Sequence, residues 1–143
     1  VLLQAPGSQG IRFVVILDGD DAGRMAAEAM RRSGAQKNRH FFQLERGDYR
    51  DKGGKSWDVE IEDMLPQSLI EAFVQQHPGA VEERFQRREV VKFVINGKPV
   101  EKGGQTYDYK VMLAEYARQH AVLDDLMPLT QLLQKARKCM RLD

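Results

Sequence analysis

The sequence predicts an α/β fold, with parallel strands in a sheet flanked by helices. Two observations carry that prediction. Phe13-Val-Val-Ile-Leu17 is an unbroken apolar, β-branched run, the pattern of a strand covered on both faces. A helix-periodic stretch follows it, and then a second apolar run, His40–Leu44. Strand, helix and strand in that order make a βαβ unit, whose crossover is expected to be right-handed.

The elements follow in order. Leu2 to Gly10 reads as a loop broken by Pro6-Gly7-Ser8, and Ile11 to Leu17 as the first strand. Asp21 to Ser33 reads as a helix with Ala22, Met25, Ala26, Ala29 and Met30 as its apolar stripe, stopped at Gly34. Arg46 to Ser56 is a polar loop holding Gly47, Gly53 and Gly54, and Val59 to Asp63 is a short acidic segment. Pro66 opens a helix to about Gln76, with Leu65, Leu69, Ile70 and Phe73 inward. Glu82 to Arg88 reads as a charged, solvated stretch. Val90–Ile95 and Pro99–Glu101 flank Asn96-Gly97, a hairpin signal. Thr106 is a candidate cap for a helix through Ala121. Leu129, Leu132, Leu133, Ala136 and Met140 make the stripe of a last helix. Residues 1–80 thus read as the α/β core, and residues 81–143 as a hairpin and helical extension.

Composition narrows the classes. A chain of 143 residues is long enough for a real core, and its net charge of +1 gives no global pull on nucleic acid. Affinity for a polyanion must come from a local patch. Cys139 is the only cysteine, which excludes an intrachain disulfide and a cysteine zinc cluster and fits a reducing cytoplasm. No apolar stretch approaches the roughly 20 residues of a membrane span. The chain starts at Val1 rather than Met, and reads as a piece of a longer protein.

The chemistry concentrates where the first strand ends. Asp18 falls at its carboxyl end, where open α/β sheets place ligands. Asp18 and Asp20 are two apart, so extended backbone points both carboxylates to one side. Such a pair repels itself unless a cation intervenes, and hard oxygens suit Mg²⁺ or Mn²⁺. Aspartates after strands often only cap helices, but one helical turn does not need Asp18, Asp20 and Asp21 together. Gly19 and Gly23 allow a tight turn. A second cluster, Glu60-Ile-Glu62-Asp63, contains carboxylates that could join the first around a metal pair, a recurrent device for phosphodiester cleavage. Taken alone, it is the acidic start of a helix.

Leu17-Asp-Gly-Asp-Asp-Ala-Gly-Arg24, continued by Met25-Ala-Ala-Glu-Ala29, resembles the aspartate motif of the Toprim domain. That domain occurs in topoisomerases, bacterial primases and the OLD family of ATP-dependent nucleases. The order of aspartate motif, Ile61-Glu62-Asp63 and Tyr109-Lys110-Val-Met-Leu-Ala resembles the OLD nucleases most. The resemblance implies a Rossmann-like Toprim sheet and a cytoplasmic endonuclease that nicks or cuts DNA by two-metal hydrolysis. It implies Asp18, Asp20 and Glu62 as ligands of Mg²⁺ or Mn²⁺, with Glu60, Asp63 and Asp21 as alternates. It implies Asp18, Asp20 and Lys110 as catalytic residues, Lys110 stabilising charge on the phosphate. A lone helical lysine is otherwise a solvated surface residue. Toprim sites also use a glutamate on an earlier strand, and no acidic residue precedes Asp18 here. That glutamate, an ATPase region that would bring ATP, and self-association through it are therefore expected upstream. The fragment alone is expected to be inactive.

Arg24, beside the aspartates, is a candidate phosphate contact, and Arg46, Arg50, Lys52 and Lys55 could ride on a DNA backbone. Tyr49 and Trp57 read as local packing, and His40, His77 and His120 share no ligand spacing. Two other readings stay open. One is the Toprim domain of a primase or topoisomerase. The other is a Mg²⁺-binding phosphotransfer or interaction module that cuts nothing.

Overall fold

The computed structural model describes residues 13–140, so the expected loop at 2–10 and the start of the first strand at 11–12 lie outside the described residues. In chain order the elements are β1 Val15–Leu17, α1 Asp21–Arg32, β2 Phe41–Gln43, α2 Gln67–Gln76, β3 Val81–Arg87, β4 Val90–Ile95, β5 Val100–Lys102, β6 Gln105–Tyr107, α3 Tyr109–His120 and α4 Met127–Cys139. They form a mixed α/β structure of two compact units. The first holds residues 13–47, 58–61 and 128–140, the second residues 48–57 and 62–127.

The first unit is built on the βαβ unit. β1 and β2 pair in parallel, with Val15 opposite Phe41 and Leu17 opposite Gln43. Hydrogen bonds from Val15 N to His40 O and from Leu44 N to Leu17 O extend the ladder at both ends. The expected adjacent parallel strands joined by a helix are therefore present, as a small two-stranded sheet. Phe41, Ala27 and Ala35 form the core of this unit, with Val15, Leu17 and Met30 against them. Two local expectations change. β1 is half-buried rather than covered on both faces, because it pairs with one strand only among the described residues. The inward face of α1 is Gly23, Ala26, Ala27 and Met30, while Ala22, Met25 and Ala29 point outward. Gly23 and Ala27, four apart, are small enough to bring the helix axis close to the sheet. That rotates the bulkier Met25 into solvent, 75% exposed. α1 ends at Gly34, whose φ of +92° a glycine adopts without strain.

In the second unit α2 and α3 pack with the β3–β4 hairpin. Leu65, Leu69, Ile70 and Phe73 face inward as expected and pack with Ala80, Ile95 and Leu113. Gln67 ties α2 to β4 by accepting from Val91 N and donating to Glu89 O. The charged stretch 82–88 is not a free solvated segment but most of β3, antiparallel to β4. Its side chains from Glu82 to Gln86 are exposed, so no apolar alternation announces it; pairing with the apolar β4 makes it a strand.

The hairpin expected about Asn96-Gly97 is not there. The two observed hairpins turn at Arg88-Glu89 and at Gly103-Gly104. Both of those glycines have positive φ, as a two-residue primed turn requires. Asn96 instead folds its side chain onto its own loop, accepting from Lys98 N. The cap of α3 is Asp108, accepting from Val111 N, and not Thr106, which lies in β6.

Candidate functional site

Asp18 directly follows Leu17, the last residue of β1, and Asp20 is the N-cap of α1. The turn between strand and helix is unusually cramped. A Cβ on Gly19 would overlap the carbonyl oxygen of Leu44, and one on Gly23 would overlap that of Asp18. Glycine is therefore demanded at both places by close backbone approach, and the positions of the aspartates follow. Gly23 N donates to Asp20 Oδ1 at 2.7 Å, fixing that carboxylate over the first helical turn. Gly19 pairs with Val59 by two backbone bonds, Gly19 N to Val59 O at 2.6 Å and Val59 N to Gly19 O at 3.0 Å. That brings Asp58 and the half-buried Glu60 into the same unit as the aspartate motif.

Arg24 braces this turn. Its Nη2 donates to Asp21 Oδ1 at 2.6 Å and to Asp58 Oδ1 at 3.0 Å, and Nη1 donates to Gly19 O. The hydrogen bond to Asp21, then that to Asp58, holds the guanidinium pKa above its ordinary value. A DNA phosphate at Arg24 would compete with two carboxylates already in place.

The second unit holds the other acidic cluster. Ile61–Met64 is a 3-10 turn leading into α2. Lys110, the second residue of α3, places its ammonium 2.9 Å from Glu62 Oε1, with the lysine side chain 39% and the glutamate side chain 10% exposed. The contact is ionic and lacks hydrogen-bond alignment at Oε1. Glu62 and Lys110, which the resemblance assigns to one site, are thus neighbours. Asp63 turns the other way and is buried. Its Oδ2 lies 2.8 Å from Lys92 Nζ, and its Oδ1 accepts from Tyr49 OH at 3.3 Å. Lys92 is the residue that sequence reasoning missed. Its signal was a lysine inside Val90-Val-Lys-Phe-Val-Ile95, where a solvated charge has no place.

The basic candidates fall on two stretches. Arg46 is half-buried in the first unit. Arg50, Lys52 and Lys55 are exposed on the loop of the second unit, which a bridge between Arg50 and Ser56 narrows into a small turn. Asp51 shapes that turn, accepting from Lys55 N through its side chain and donating to Lys55 O through its amide.

The donors match Mg²⁺ or Mn²⁺ in kind, since all are hard carboxylate oxygens. Among the described residues no three His, Cys, Asp or Glu side chains are gathered into one metal-holding group. Asp18, Asp20, Asp21 and Glu60 belong to the first unit, and Glu62, Asp63 and Lys110 to the second. No helix among the described residues is long and apolar enough to cross a membrane. Comparison with protein families, with curated proteins and with solved structures gives no match.

Proposed function

We propose that this chain is the catalytic portion of a metal-dependent DNA endonuclease of the OLD type, with a Toprim fold, working in the cytoplasm as part of a longer protein. The observation that carries the reading is the turn Asp18-Gly-Asp20-Asp21 at the carboxyl end of a parallel strand, entering a helix capped by Asp20. Backbone crowding at Gly19 and Gly23 supports it, because the two carboxylates are held on a turn that has no slack.

In this reading Asp18 and Asp20 would hold Mg²⁺ or Mn²⁺, and Glu62 is the further carboxylate ligand that the resemblance implies. A bound metal pair supplies an activated hydroxide and charge neutralisation for phosphodiester hydrolysis. Arg24 offsets part of the charge of Asp21 and Asp58, which lowers the repulsion that these carboxylates add beside Asp18. Lys110 orients Glu62 and offers a positive charge for the phosphate as negative charge develops. The exposed Arg50, Lys52 and Lys55 follow the DNA backbone.

The test is Asp18→Ala in the full-length protein with Mn²⁺ and supercoiled DNA. Nicking and linearisation should disappear while the melting temperature stays within a few degrees. Wild-type cleavage by a correctly folded Asp18→Ala protein would remove the reading.

A further inference from the structure

One buried carboxylate, Asp63, receives groups from two separate parts of the second unit. Lys92, in the middle of β4, reaches Asp63 Oδ2 at 2.8 Å, and both side chains are 2% exposed. Tyr49, from the base of the basic loop, donates its hydroxyl to Asp63 Oδ1, and the Lys92 ammonium lies 5.7 Å from the Tyr49 ring. Removing such charges from water costs about as much as their attraction returns, and apolar residues of the same volume are often as stabilising. Its presence is better explained by the geometry it imposes.

That geometry has two consequences. Side chains in a 3-10 turn are about 120° apart, so the direction of Asp63 sets that of Glu62. Glu62 then meets Lys110. On the other side, Trp57 N donates to Tyr49 O, and the Trp57 ring sits between those of Tyr49 and Phe85, 5.7 and 5.8 Å away. Both ends of the loop carrying Arg50, Lys52 and Lys55 are thereby fastened near Asp63.

We infer that Lys92, Asp63 and Tyr49 form a positioning joint, which aims Glu62 at Lys110 and locks the basic loop to the same buried carboxylate. Only its catalytic consequence rests on the proposed nuclease activity. Lys92 and Tyr49 are positioning residues and touch no reacting atom.

The test uses the full-length protein and the double variant Lys92→Met/Asp63→Leu, which leaves no buried charge unpaired, beside the milder Tyr49→Phe. Trp57 is the only tryptophan of the chain, so iodide quenching of its emission reads the loop without DNA or metal. In both variants quenching should rise roughly twofold at nearly unchanged melting temperature, since a local fastening is released and not the core. Cleavage by the double variant should lose about tenfold to a hundredfold in kcat at unchanged KM, the loss usual for groups that orient a site's ligands. Wild-type quenching and wild-type kcat in a stable double variant would overturn the joint and leave a packing contact. If the double variant does not fold, Tyr49→Phe alone decides by quenching. A wild-type protein that cleaves nothing would sink the nuclease reading, while the quenching result would still judge the joint.

Discussion

Lys110 pairs with a carboxylate that is almost wholly buried, which no solvated helical lysine would do. Its ammonium supplies charge where Glu62 needs a counterion, and the proposed reaction asks it to neutralise a phosphate as well. Lys110→Ala should therefore lower the cleavage rate about a hundredfold, a typical loss for one electrostatic stabiliser, with DNA affinity nearly unchanged. Single-turnover rates and a binding titration separate the two. His40 offers a second single-residue experiment. Burial first, and the positive charge of Arg39 after it, push its pKa below the ordinary value. Gln36 N donates to its Nδ1 at 2.8 Å, a bond that exists only while that nitrogen is unprotonated. The folded chain thus refuses a proton that the unfolded chain accepts. The stability contributed by neutral His40 is present above about pH 6.5 and is lost as pH falls through the lowered folded value. Melting temperatures of wild-type and His40→Asn proteins, compared between about pH 7.5 and about pH 5.5, should show the steeper decline in wild type.

Elements defined by neighbouring residues were the legible ones. The β1-turn-α1 segment is spelled by an apolar run, three aspartates and two glycines within a dozen positions, and α2 by its Leu-Ile-Phe stripe. β3 was hidden because its own residues are polar and exposed, and its strand character comes from register with β4. The hairpin signal at Asn96-Gly97 lost to Gly103-Gly104, where both residues take the positive φ of a primed turn and β5 pairs directly with β6. Lys92 and Asp63 are 29 positions apart, beyond any periodicity, so their contact was invisible to pattern reading. The turn after β1 makes a quantitative prediction at this scale. Gly23→Ala forces a Cβ into the carbonyl of Asp18, and the backbone has to move. The cost should be about 1–3 kcal/mol, as for other overpacked sites. A fall in melting temperature with loss of cleavage is the expected pair of results. Asp108→Ala should cost about 1 kcal/mol by removing the α3 cap, and should weaken cleavage only as far as Lys110 is displaced.

Across the whole molecule, the near balance of charge decides how nucleic acid would be held. A net charge of +1 produces no long-range field that would draw DNA to the chain at large. Cationic side chains are also heavily engaged by neighbours: Arg24 by Asp21 and Asp58, Lys37 by Glu45, Lys92 by Asp63, Lys110 by Glu62 and Arg118 by Glu115. The loop of Arg50, Lys52 and Lys55 is different, because its charges are exposed, close in sequence and mounted on a turn with two glycines. If the loop follows a DNA backbone, each of its three cations releases counterions on binding. The slope of log affinity against log salt should then fall by about 0.9 for every phosphate contact removed. Replacing all three by alanine should lower the slope by about 2.7 in a titration on duplex DNA. The rate of cleavage of already bound DNA should stay close to wild type. Lys110→Ala should show the opposite pattern, a wild-type salt slope with a depressed rate. A triple variant whose salt slope equals that of wild type would place the DNA elsewhere on the molecule, while the assignment of the carboxylates would stand on the Asp18 experiment alone.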